Sequence, residues 1–217
     1  MTIRHQKTFA RRIGKRLSDS QKRLLNEELP KKMLSTDDPL RHTSSYKAVH
    51  IEVGIGMGEH FISQCSSNSD DFFIGSDPYL NGIANCLRLA KINNISNFAL
   101  WPDDALLFID KLEENTISKF YLLFPDPWQK NKQIKRRFGS ESNLKKILYV
   151  LKPQGEFIFA SDIEEYSYSV ENILLKLGLK GNVSDSCIPH PGYQMTKFHQ
   201  KALLEDRAVK FLSFVKY

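Results

Sequence analysis

Gly54, Gly56 and Gly58 directly follow the apolar run Val49-His50-Ile51-Glu52-Val53, so a turn there can pass close beneath a ligand where a side chain would block it. The dinucleotide fingerprint requires Gly or Ala three residues after the second glycine, and Glu59 stands there instead. Like charge sets a pyrophosphate against that carboxylate. The turn better suits a ligand without phosphates that carries an amine or sulfonium cation, which Glu52 and Glu59 attract. S-adenosylmethionine has that chemistry. Asp77 closes the next apolar run, 23 residues after Gly54, where an ionised carboxylate can accept both hydroxyls of a ribose. Asp103-Asp104 closes the third, in reach of an adenine amino group. Taken singly, each is more readily a capping or turn aspartate. Three successive strands ending in an acid favour a shared crevice.

The most distinctive stretch is Phe124-Pro125-Asp126-Pro127-Trp128. Prolines on either side of Asp126 fix the backbone and deny it to helix or sheet, while Trp128 offers a stacking face. A rigid turn with a buried tryptophan would read the same way. It leaves unexplained the run that follows, Lys130, Lys132, Lys135, Arg136 and Arg137, which is five cations in eight positions without an acid. One rigid carboxylate beside a cation cluster suits a nucleobase whose backbone phosphates must also be held.

Bringing these groups to one mouth requires an alternating chain. Residues 49–53, 72–75, 97–101, 120–124 and 156–160 read as five short apolar strands. Helices are expected over 59–65, from a cap at Asn81 through the stripe Ile83, Leu87, Leu89 and Ile92, and over 105–112, 142–151 and 164–177. The order predicts an α/β protein whose parallel sheet is covered on both faces, with its crevice at the carboxyl ends of the strands.

A chain of 217 residues suits one core and is too short for two ordinary domains. Its 41% hydrophobic and 26% charged content excludes a collagenous or wholly disordered chain. Apolar stretches fall short of the roughly 20 residues of a membrane span, and the start lacks the apolar centre of a secretory signal. We therefore expect a soluble cytoplasmic protein. Cys65, Cys86 and Cys187 are odd in number, with neither a C-x-x-C nor a nearby histidine pair, which points to a reducing compartment and no metal. The net charge of +6 is concentrated at the start: residues 1–47 hold 12 Lys/Arg against 5 Asp/Glu, and the remaining 170 hold 19 against 20. Before Asp19 stand only Arg4, Lys7, Arg11, Arg12, Lys15 and Arg16, a pattern of nucleic-acid-binding arms. A solvated helix face and an organellar presequence are the alternatives.

Glu52-x-Gly54-x-Gly56-x-Gly58-Glu59-His60, F-P-D-P-W-x-K from Phe124 to Lys130, K-R-R from Lys135 to Arg137, Ser161-Asp162 and the late Thr196-Lys197-Phe198 together resemble the tRNA (guanine-N7-)-methyltransferases. The resemblance runs from about Phe9 to the C-terminus. It implies a basic N-terminal arm and lead-in over 1–47, then one Rossmann-like class I methyltransferase domain over 48–217. That domain would hold a mostly parallel seven-stranded sheet with helices on both faces. Its methyl donor would be S-adenosylmethionine and its acceptor guanosine 46 in the variable loop of tRNA. We expect a monomer or weak homodimer, with no metal and no membrane partner.

Carried over by position, the resemblance places the cofactor at Glu52, Gly54, Gly56, Gly58, Asp77, Asp104 and Asp126. The substrate falls at Lys130, Asp162, Thr196, Lys197, Phe198 and His199, with Asp126 as the catalytic residue. Phosphate contacts are expected at Arg11, Arg12, Lys135, Arg136 and Arg137. Two positions depart from the family's pattern: the acid after the second strand is often Glu and is Asp77 here, and the motif T-K-F-E ends in His199. A neutral imidazole has one acceptor nitrogen and cannot replace a carboxylate at the N1 and N2 edge of guanine, which moves that expectation to Asp162. A non-catalytic RNA-binding protein on the same fold is the alternative reading. Glu59 disfavours a nicotinamide-dependent oxidoreductase.

Overall fold

The computed structural model describes residues 12–184 and 193–217, so Arg11 and Cys187 lie outside the described residues. Seven strands form one sheet: β1 (Val49–Val53), β2 (Phe72–Ser76), β3 (Phe98–Trp101), β4 (Ile117–Leu123), β5 (Leu151–Ser161), β6 (Lys180–Ser184) and β7 (Lys210–Val215). Their spatial order is β3-β2-β1-β4-β5-β7-β6. The first five are parallel, and β7 runs antiparallel between β5 and β6. From β1 the chain winds to one side through β2 and β3, and from β4 to the other through β5. The carboxyl ends of β1 and β4 therefore flank a topological switch point, where an open α/β sheet has its crevice.

Side chains alternate between faces along each strand. Val49, Ile51, Phe72, Ile74, Phe120 and Leu122 pack with Phe108, Leu144 and Ile147 on one face. Phe73, Phe98 and Leu100 pack with Phe61, Ile83 and Leu87 on the other. The helices that supply these partners are α3 (Glu59–Ser67), α4 (Leu80–Ile92), α5 (Leu106–Ile109) and α6 (Glu141–Val150), and α7 (Glu164–Lys176) adds Tyr166, Val170 and Leu174 to the first face. A third cluster of Tyr121, Leu123, Ile158, Ala160 and Phe211 sits beneath Ala202 of α8 (Lys197–Leu204). Among the described residues no helix is long and apolar enough to cross a membrane.

Ahead of the sheet, Ser18 and Gln21 close a capping box at the start of α1 (Asp19–Glu27), and α2 (Leu29–Lys32) follows. The next residues cover the open edge of β3: the Leu34 amide donates to the Leu100 carbonyl at 2.9 Å, and the Lys32 ammonium lies 4.8 Å from the Phe98 ring centre.

Several expected boundaries move. β5 begins at Leu151, well before the expected 156, because Leu151 pairs with Ile117 across a register shift. Pro153, Gln154 and Gly155 look like a turn in sequence, and the strand passes through them with Gln154 at φ 63°. α5 is a single turn rather than eight residues. Asn81 does not cap α4: Tyr79 is the capping residue, and the Asn81 amide instead accepts from the Gly14 N–H at 3.1 Å and donates to the Lys15 carbonyl at 3.0 Å. Ile92, expected in the buried stripe, is 62% exposed at the end of α4.

Candidate active site

The glycine turn after β1 adopts backbone that favours glycine, with Gly54 at φ 80°, Gly56 at 55° and Gly58 at 80°. A Cβ at Gly58 would lie 2.7 Å from the Cβ of Cys86, whereas nothing lies within 4 Å of one at Gly54. The turn is thus packed from behind and open in front. α4 provides that backing. Asn85 donates to the Met57 carbonyl at 2.7 Å, and a Cβ on Gly82 would meet the Gly56 carbonyl oxygen at 1.9 Å. Glu52 is buried beside the turn and accepts from His60 Nδ1 at 2.7 Å, so this acid steadies the start of α3. Neither Gly82 nor the His60 pairing was read from the sequence. Gly82 sits inside an ordinary helical stripe, and His60 looks like any helix residue.

Asp77 lies at the carboxyl end of β2 with both oxygens engaged. One accepts from the Gly56 amide and the other from the Tyr79 amide, each at 2.8 Å. Burial pushes its pKa up to about 6 against the pull of these two amides, and the negative charges of Asp126 and Glu52 add to the rise. A carboxylate has about four acceptor positions, so two remain. Asp103 is buried, accepts from the Asp104 amide at 2.8 Å and meets Arg12 Nη1 at 3.4 Å. Asp104 accepts from the Leu106 amide at 3.0 Å, and burial raises its pKa above the usual carboxylate range.

Asp126 is exposed at the end of β4, in a loop bounded by Phe124 at φ 51° and Trp128 at φ 38°. Lys130 and Lys135 are exposed at the two ends of a 3-10 helix, Asn131–Arg136. Arg136 turns back onto Trp128, its guanidinium 5.2 Å from the ring centre. Arg137, expected to contact phosphate, is only 3% exposed. Its guanidinium forks onto Glu165 at 2.9 and 2.6 Å, and its Nε donates to the Pro127 carbonyl at 2.6 Å. Arg12, also expected on phosphate, meets Asp103 through Nη1 alone with its side chain 47% exposed, and its carbonyl accepts from the Leu80 amide at 2.8 Å.

The late motif divides between mouth and interior because it opens a helix. Thr196 caps α8 by accepting from the His199 amide at 3.1 Å. Lys197 reaches Glu59 of α3 at 3.6 Å. Phe198 is exposed, stacks on Phe124 at 6.4 Å, and approaches to within 3.8 Å of a Cβ placed at Gly56. His199 departs from expectation. It faces inward, 1% exposed, with Nδ1 2.9 Å from the Tyr193 hydroxyl and its ring among Phe124 and Phe211. Helical spacing explains the inversion, since 199 and 202 form the buried face of α8. Burial lowers the His199 pKa. Asp162 lies at the end of β5 and pairs with Arg207, which also holds Glu205 at 2.7 Å. Arg207 was missed because it sits 45 residues downstream in a polar turn.

The carboxyl ends of β1 to β5 thus bring Glu52, Asp77, Asp104, Asp126 and Asp162 to one side of the sheet, around the open glycine turn. Residues 46–212 match a family model described as "Putative methyltransferase". The chain is 42% identical over 212 residues to a bifunctional methyltransferase of Rickettsia conorii, covering 97% of this chain and 40% of that protein. It is 34% identical over 225 residues to the tRNA (guanine-N(7)-)-methyltransferase of Jannaschia sp., covering 98% of this chain and 95% of that one. The chain therefore spans less than half the length of the bifunctional relative and nearly all of the second. Among solved structures, a 30S ribosomal A1408 methyltransferase from an uncultured bacterium superposes with a TM-score of 0.58 at 20% identity, covering 86% of this chain and 96% of that one. Fold, motifs and full-length similarity agree: the chain belongs to the tRNA (guanine-N7-)-methyltransferase family.

Proposed function

We propose that the chain binds S-adenosylmethionine at the glycine turn and methylates N7 of guanosine 46 in the variable loop of tRNA. Asp126, exposed just beyond the carboxyl end of β4 and near enough to raise the pKa of Asp77, is the observation that carries this reading. The residues fit the cofactor. Space is open in front of Gly54, and Asp77 keeps two acceptor positions for a ribose after serving the Gly56 and Tyr79 amides. Asp104 stands at the end of the next strand for an adenine amino group. Bound S-adenosylmethionine supplies an electrophilic methyl on a sulfonium. Buried Glu52 and Asp77 give this end of the sheet the negative potential that such a cation requires.

Guanine N7 has an in-plane lone pair and no proton, so its methylation requires alignment and no general base. Positive charge develops on the base, and a fixed carboxylate beside the ring favours that state. Asp126 takes this orienting and charge-stabilising role. Exposed Phe198, stacked on Phe124 next to the turn, offers the base an aromatic face. Asp162 and Thr196 border the same mouth, and Lys130, Lys132 and Lys135 point outward for phosphates.

Asp126→Asn keeps the side-chain shape and removes the charge. Single-turnover methylation should fall on the order of 10²-fold or more, with S-adenosylmethionine affinity within about twofold of the parent. A variant rate matching the parent within a factor of two would remove Asp126 from the chemistry. Cofactor binding without any methyl transfer by the parent would instead support the non-catalytic alternative.

A further inference from the structure

The proposed chemistry leaves Arg137 without a task, although it is the most deeply buried cation near the mouth. The loop that carries Asp126 begins and ends on non-glycine residues in the left-handed region, Phe124 at φ 51° and Trp128 at φ 38°. Such backbone persists only where the surroundings fix it. At the Trp128 end two successive arginines do so. Arg136 covers the Trp128 ring at 5.2 Å, and Arg137 Nε donates to the Pro127 carbonyl at 2.6 Å. The same guanidinium forks onto Glu165 at 2.9 and 2.6 Å and lies 4.6 Å from the Tyr166 ring centre. Tyr166 is itself an anchor, fully buried, its hydroxyl accepting from the Gly139 amide at 2.9 Å. A guanidinium so enclosed is not presented to a phosphate. Lysine could not replace it, because one ammonium cannot supply a planar fork and a third, divergent donor together.

We propose that Arg137 is a positioning residue: with Glu165 it clamps the Pro127 carbonyl to the first turn of α7 and so fixes the neighbouring Asp126 at the crevice mouth. This inference rests on the methyl-transfer reading of Asp126. It divides the K-R-R run into three tasks, with Lys135 outward, Arg136 on Trp128 and Arg137 on the loop backbone.

The test compares Arg137→Gln, Arg137→Lys and Glu165→Gln in the full chain. The chain has two tryptophans, and Trp101 is 7% exposed, so acrylamide quenching of fluorescence reports Trp128 and requires no turnover. Both Arg137 variants should raise quenching at least about twofold and lower single-turnover methylation of saturating tRNA on the order of tenfold. The salt dependence of tRNA affinity should stay at the parental slope. Glu165→Gln, at a side chain that is 65% exposed, should move quenching and rate the same way by less, which separates the clamp from a folding defect. A phosphate contact would behave differently: Arg137→Gln would flatten the slope of log affinity against log salt by about 0.7 to 0.9, and Arg137→Lys would restore it. That pattern, or parental quenching in both Arg137 variants, overturns the clamp. If the parent binds S-adenosylmethionine and transfers no methyl, the methyl-transfer reading falls, and quenching still decides whether Arg137 holds the loop.

Discussion

Burial changes what Asp77 and His199 can do, in opposite directions. Asp77 has its pKa raised from 3.8 to about 6, so the unliganded fold prefers the protonated acid. Its contribution to apo stability is fully present below pH 3.8 and is lost as pH rises through about 6. Cofactor affinity runs the other way, because only the ionised group accepts both ribose hydroxyls. Titration calorimetry should show S-adenosylmethionine binding about tenfold weaker at pH 5 than at pH 7.5, and a flat profile would deny Asp77 its role. His199 was expected at the mouth, where a glutamate in its place would be tolerated. Buried against Phe124 and Phe211, His199→Glu instead places a carboxylate among aromatic rings at a cost of several kcal/mol. A clear fall in melting temperature checks this, and an unchanged one contradicts it. Asp162→Ala should damage turnover more than stability. Residue types announced the acids, but inward or outward facing on α8 depended on where the helix begins.

The first two turns of α4 join two parts of the molecule that the sequence showed separately. Leu80 and Asn81 hold residues 12–15 of the basic arm, while Gly82, Asn85 and Cys86 back the glycine turn. Gly82→Ala should raise helix propensity by about 1 kcal/mol, yet its methyl collides with the Gly56 carbonyl. S-adenosylmethionine affinity should fall at least about tenfold by the same calorimetry, and parental affinity would show that the turn does not depend on this close approach. The parallel strands were legible because β1, β2 and β4 are short apolar runs buried on both faces. β6, β7 and α8 were not read residue by residue. Their exposed positions, such as Val183 and Leu204, blur the periodicity, and only the family resemblance supplied a seven-stranded sheet.

The cations expected on tRNA lie in two segments, one before residue 48 and one at 130–137, and the structure sorts their members by what they touch. Arg137 is buried on Glu165, Arg12 is half exposed beside Asp103, and Lys130, Lys132 and Lys135 are exposed. Neutralising those three lysines together should reduce the salt slope of tRNA binding by about 2 to 3, with S-adenosylmethionine affinity unchanged. An unaltered slope would make the run a solvated face. Charge counting located both basic segments, but it could not tell an outward lysine from a buried arginine, because that distinction depends on Glu165 lying nearby in space. The central claim is tested most directly by incubating the chain with labelled S-adenosylmethionine and bulk tRNA, then mapping the labelled nucleotide by chain cleavage at N7-methylguanosine. Label is expected at N7 of guanosine 46, its transfer slowed on the order of 10²-fold by Asp126→Asn. Label on another atom or another nucleotide, or bound cofactor with no label transferred, would contradict it.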